Sequence, residues 1–443
     1  MARVDLLILA VYAAAILYLG FGSRRKGGLE DYLLAGRSLT LPSFVATLVP
    51  SFFGGVMGVG EYTYTYGVSN WVVQGVPYYF FGLLYAWLLA GRVRNFPGRT
   101  LPDHLESVFG KKTAVLAALW VAVLASPATE MLMLGTLARW ATGWPLGLCV
   151  AGAAILGSSF LALGGLRADV RTNRLEFLVM YGGFALILPF AFRAVGGFSG
   201  LVRALPVSHL DWAGGQSFGY ILTWFFIAFW TFVDPAFHQR VCAAKDVKTA
   251  RVGILISVGF WFCFDFMTTS AGLCARALLP GLKEPLMAYP ELAARVMPPV
   301  ARGLFIAGLC SSIAAAMGSV SLVSATSLGK DVAARLWDIP AERQETWIRW
   351  GLLATAAGSV LLALKLPSVV GLWYAIGSAA VPGLLVVMLS CYFEELRTKS
   401  AFACSLFGGG TSLVWLACGH PWGIEPFYPG LAASILVWMV GRW

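Results

Sequence analysis

Apolar residues come in blocks of about 20 along almost the whole chain, each closed by a short turn with Gly, Pro or charge; that is the length a helix needs to cross roughly 30 Å of hydrocarbon. The pattern predicts thirteen membrane spans, over 4–22, 41–66, 70–91, 113–137, 143–163, 175–195, 216–237, 251–275, 300–328, 347–366, 368–392, 402–419 and 425–441. The first block is too long for a cleaved leader. Its basic cluster, Arg24, Arg25 and Lys26, follows the apolar run rather than preceding it, so the span is expected to stay in the membrane. The fold class is therefore all-α, an integral membrane protein.

Regularity fails at three places. Span 2, LVPSFFGGVMGVGEYTYTYG, holds Pro50, Gly54, Gly55, Gly58 and Gly60, which either break the helix or let a neighbour approach closely. Span 7 ends with Asp234-Pro235, and span 11 carries Gly371, Gly377 and Pro382. Transporters place solute sites at mid-membrane breaks of this kind. Asp234 reads either as a helix stop at the headgroups or as part of a pathway.

Ionisable residues inside a span are costly and point to function. Glu61, Glu130 and Asp265 qualify, with Glu130 the most central; Asp265 reads equally as a structural partner of an Arg. Trp224, Trp230 and the tyrosines 62, 64 and 66 either belong to the interfacial belt or stack on a solute.

Composition agrees: 58% of residues are apolar and 12% charged, which excludes a soluble globular protein. With the N-terminus outside and the C-terminus inside, the inner connections collect 23 of the 32 Lys and Arg residues, so the +10 net charge reflects membrane orientation and calls for no nucleic acid. A bacterial cytoplasmic membrane is the expected location. The eight cysteines form no C-x-x-C and the four histidines are dispersed, so no metal site or cofactor is expected. No P-loop, nucleophile elbow or dinucleotide fingerprint is present. Nothing here predicts an enzyme.

Three segments resemble, in order and spacing, the sodium/solute symporter family of proline, sialic acid and sodium/galactose transporters. DYLLAGRSL (31–39) matches the signature after the first helix, GGLRADVRTNRLEF (164–177) the GG-x-x-A-x-x-x-T-D-x-x-Q segment, and HQRVCAAKDVKTAR (238–251) the Q-R-x-x-x-A-K-D-x-x-x-A-R loop. The resemblance implies one transmembrane domain of LeuT-type fold. Residues 41–195 and 216–392 would form two inverted five-helix repeats, with 1–40 and 393–443 peripheral, one extra helix before the repeats and two after. It also implies a solute between broken span 2 and span 7, and a sodium ion where span 2 meets span 9. By position, Phe53 and Val56 would lend backbone carbonyls to the ion, Gln74 would contact solute and Trp230 would gate it. With the residues read above, the candidate solute-binding set is Gly54, Gly55, Gln74, Glu130, Trp230 and Asp234.

The ion site departs from the family's pattern. Aligned without gaps to Asp331, SSIAAAMGS (311–319) puts Ser312 where the family gives a backbone carbonyl, and Ala315 and Ala316 where it gives hydroxyls. A methyl offers a hard cation no oxygen. The family's aspartate in span 6 is Asn173 here. A shift of one helical turn would instead bring Ser311 and Ser312 into the ligand positions.

Three functions follow as expectations. One is a secondary transporter of a small polar organic solute working by alternating access, proton-coupled through Glu61, Glu130 or Asp234, or uncoupled. The second is an ordinary sodium-coupled symporter. The third is a membrane sensor with a separate signalling partner. Buried acids without a basic partner in the same spans lean toward a cation or zwitterion as solute.

Overall fold

The computed structural model describes residues 1–23, 27–393 and 398–441; β-type pairing among them is confined to one parallel bridge between Leu39 and Ala244. The cluster 24–26, Arg397 and Arg442, which entered the orientation argument, lie outside the described residues.

The helices that build the fold are α1 (Arg3–Phe21), α2 (Leu41–Phe52), α3 (Val56–Tyr66), α4 (Val76–Leu88), α5 (Leu101–Phe109), α6 (Lys111–Leu124), α7 (Ala128–Thr142), α8 (Leu146–Ser159) and α9 (Leu161–Val195). They continue with α10 (Phe218–Ile227), α11 (Pro235–Ala243), α12 (Val247–Leu278), α13 (Ala288–Val296), α14 (Ala301–Thr326), α15 (Ala341–Lys365), α16 (Val369–Phe393), α17 (Thr398–Ala417) and α18 (Phe427–Gly441).

Among the described residues nine helical stretches are long and apolar enough to cross a membrane, or ten when α2 and α3, bent by 52°, count as one. The thirteen expected from the pattern are therefore met in part. Segment 70–91 becomes a π-turn (Trp71–Gly75) running into the 13-residue α4, while 143–163 and 425–441 become α8 and α18, of 14 and 15 residues. At about 1.5 Å per residue these fall short of a full crossing. Turns at Pro145 and Pro426 take up the start of the last two apolar runs.

Burial separates centre from rim: 83% of the most apolar stretch around α14 is inside the protein, against 17% for α1. Small residues make this possible. A Cβ on Gly183 of α9 would stand 3.1 Å from the Cα of Gly308 on α14, so the two backbones touch where neither residue has a side chain. At the rim, Asp5 holds α1 to the start of α14 through Arg302, at 2.5 Å.

The three family-like segments meet. Tyr32 is fully buried, its hydroxyl donating to Leu161 O at 2.8 Å, and Arg167 binds Asp31 at 2.6 Å. Gly165 sits at φ +54°, where any Cβ would strike the Tyr32 carbonyl. Gln239 donates to Leu33 O at 2.9 Å, and the Leu39 bridge closes the contact.

Candidate solute cavity and helix crossing

The break in span 2 falls after Phe52, where Phe53 and Gly55 leave helical geometry at ψ 28° and 19°; Pro50 stays inside α2. Gly54 and Gly55 are required by what presses on the gap. A Cβ on Gly54 would collide with the Ala316 methyl of α14 and lie 3.1 Å from Glu130 Oε1, and one on Gly55 would enter the Trp373 ring of α16.

Span 7 is broken too. α10 stops at Ile227, a short turn Trp230–Val233 follows, and Asp234 caps α11, its Oδ1 accepting the Ala236 and Phe237 N–H groups at 2.8 and 2.9 Å. Asp234 is thus a helix cap, but inside a 26-residue apolar stretch, Phe218–Ala243, rather than at its end.

A cavity of about 160 Å³ lies between the two breaks, and all six candidate solute residues line it: Gly54, Gly55, Gln74, Glu130, Trp230 and Asp234. Glu130 accepts from the Thr129 hydroxyl at 2.7 Å. Gln74 comes from the π-turn, which turns its side chain onto the wall. Glu61, half-buried on α3, is not on that wall.

Further wall residues lie outside the six-residue candidate set. Asp265 of α12 has no Arg partner; it accepts from the Tyr79 hydroxyl at 2.5 Å, and Tyr79 in turn accepts from Trp71 Nε1 at 3.0 Å. Trp224 lines the cavity rather than the interfacial belt, and Trp373 lines it from α16. Gly371, two residues before Trp373, was the one nearby signal in the sequence.

At the crossing of α2 with α14, Ser312 acts through its side chain: its hydroxyl donates to the Phe53 carbonyl at 2.6 Å. The resemblance had implied a backbone role for it. Ala315 and Ala316 are buried, with Ala316 against Gly54, and Val56 is buried at the first turn of α3. Ser311 is fully buried.

Asn173 lies beside α2, donating to the Thr47 hydroxyl at 2.6 Å and to Asp169 Oδ2 at 3.3 Å. A carboxylate stands one turn earlier instead. Asp169 pairs with Arg240 of α11 at 2.7 Å and accepts from Ser319 at 3.1 Å, both charged side chains sealed from solvent. The sequence reading had placed Arg240 in an inner loop, and its burial removes it from the loop charges.

Two broken helices around a buried cavity, inside an all-helical bundle with membrane-length apolar stretches, are an arrangement that transporters use. The chain belongs to the sodium:solute symporter family, whose pattern it matches over residues 32–408. It is 26% identical to the sodium/pantothenate symporter of Escherichia coli, over 94% of this chain and 90% of that one. It is 24% identical to the osmoregulated proline transporter OpuE of Bacillus subtilis, over 98% and 93%. In fold it resembles a Na+-coupled sialic acid symporter in a substrate-bound outward-open state, at TM-score 0.82 and 17% identity over 99% and 97% of the two chains. Mhp1, a nucleobase-cation-symport-1 family transporter, follows at TM-score 0.62 and 13% identity over 93% and 94%.

Proposed function

We propose that the protein is a secondary transporter that carries a small polar solute in the cavity between the two breaks and is not driven by sodium at the α2–α14 crossing. Segments 41–195 and 216–392 act as inverted repeats that rock about this site, exposing it to either face in turn. Residues 1–40 and 393–443 are peripheral, with the N-terminus outside and the C-terminus inside a bacterial cytoplasmic membrane.

The observation that carries the sodium-independent reading is the Ser312–Phe53 hydrogen bond. A hydroxyl proton takes one of the two lone pairs of the carbonyl that would face an ion. Next to it the Ala315 and Ala316 methyls provide no oxygen, whereas hard cations gather about six. Glu130, Asp234 and Asp265 on the cavity wall are carboxyls suited to carrying a proton in place of the ion.

The relatives support a second reading, since the E. coli protein is named for sodium. Uptake into liposomes under a sodium gradient and a proton gradient, each imposed alone, separates the two. Sodium-independence predicts accumulation with the proton gradient or equilibration with neither; accumulation driven by sodium alone refutes it.

A further inference from the structure

The wall of the cavity narrows the solute class, and this inference rests on the transport reading above. Three carboxyls face the space, and no Lys, Arg or His among the described residues lines it. Asp234 is satisfied as the cap of α11. Glu130 and Asp265 are not: their partners are the neutral hydroxyls of Thr129 and Tyr79. A carboxylate held at membrane depth by neutral groups alone lacks the countercharge that makes its burial affordable.

Two further features point to the same ligand chemistry. Phe52, Tyr78, Trp224, Trp230 and Trp373 set aromatic rings around the carboxyls, and ring faces attract ammonium and guanidinium groups. Thr231, 1% exposed, is a further wall residue, and its hydroxyl has no hydrogen-bond partner within the protein. A bare metal ion is disfavoured, because among the described residues no three carboxyl, His or Cys side chains converge on one point. The charge must come on a body that fills the space. At about 160 Å³ the cavity is close to the roughly 150 Å³ that accommodates benzene in another protein.

We infer that the transported solute is a compact organic cation, with an ammonium or guanidinium group set against Glu130 and Asp265 and an apolar body of about benzene's bulk among the rings.

The test uses the full-length protein purified and reconstituted in phosphatidylethanolamine–phosphatidylglycerol liposomes. Binding is read by the fluorescence of the wall tryptophans and uptake by accumulation, with agmatine, choline, proline, glucose and glutarate as probes. The inference predicts saturable binding and uptake of a cation, no binding of glucose or glutarate, and at least a tenfold loss of cation affinity in Glu130→Gln and in Asp265→Asn. Glu130→Asp, which keeps the charge, should bind better than Glu130→Gln, and monodisperse elution of each variant separates lost binding from misfolding. Preferential uptake of glucose, proline or glutarate overturns the cation class and leaves the transport reading standing. Binding of a cation that is never accumulated does the reverse. Cation affinity unchanged in both charge-removing variants, or no binding of any probe at millimolar concentration, also overturns the inference.

Discussion

Ser312 donates its hydroxyl proton to the main-chain oxygen of Phe53 at 2.6 Å, bridging α14 to the residue at which α2 stops. The break in span 2 thus leaves its terminal carbonyl paired within the protein, and the pairing ties the gap to the most buried of the membrane-length stretches. Replacing Ser312 by Ala strands a buried acceptor, which costs about 1–3 kcal/mol. The expected outcome is a lower melting temperature in detergent that is the same in sodium and in potassium salts. A loss of stability seen in sodium alone would mean that the hydroxyl serves an ion.

The Gly54–Ala316 contact predicts a paired effect. Gly54→Ala forces a methyl into the Ala316 side chain, and overpacking of this kind costs about 1–3 kcal/mol. Adding Ala316→Gly opens the space, so the double variant should recover most of the melting temperature and of the uptake lost by Gly54→Ala. Additive losses in the double variant contradict the contact.

Asp169 and Arg240 stabilise the junction of α9 and α11 as a sealed pair. Removing one partner leaves an uncompensated buried charge, at about 3–5 kcal/mol. Asp169→Asn and Arg240→Gln should each melt well below the wild type, and the double variant should melt higher than either. Thermal melts of the three proteins check it; a double variant no better than the singles rules the pairing out as the cause.

Outside the spans, Asp103 on α5 binds Lys330 at 2.5 Å and also Arg335, clasping the α5 segment to the end of the α14 stretch. Burial pushes its carboxyl up, but the Lys330 and Arg335 charges outweigh it and hold the pKa down to about 2, from an ordinary 3.8. The folded pKa lies below the unfolded one, so the stabilisation, about 2 kcal/mol, is complete above about pH 4 and is lost as pH falls through about 2. The melting temperature of the wild type should fall more steeply over that interval than that of Asp103→Asn. Equal slopes would mean that the clasp contributes nothing.

Much of this was legible in the chain because membrane spans and their breaks are local properties. The glycines of span 2 announced a break, and hydropathy placed Glu130 inside the bundle. What stayed hidden depends on contacts between distant segments. Which of Pro50 and the four glycines opens the break was not legible: Pro50 stays inside α2, and the gap opens where Ala316 and Trp373 press on Gly54 and Gly55. Arg240 looked like a loop charge because its carboxylate partner lies 71 positions away. Asp265 read equally well as a functional acid and as half of an ion pair, because the one group it meets, the neutral Tyr79 hydroxyl, sits 186 positions earlier.

Whether the crossing of α2 and α14 holds sodium is decided by melting the purified protein in equimolar sodium and potassium chloride. A site that binds sodium and is filled to 100 times its dissociation constant would add about 2.7 kcal/mol. With no ion bound at the crossing, the melting curves coincide in the two salts at every concentration. A saturable rise in melting temperature specific to sodium, absent from Ser312→Ala, would contradict it.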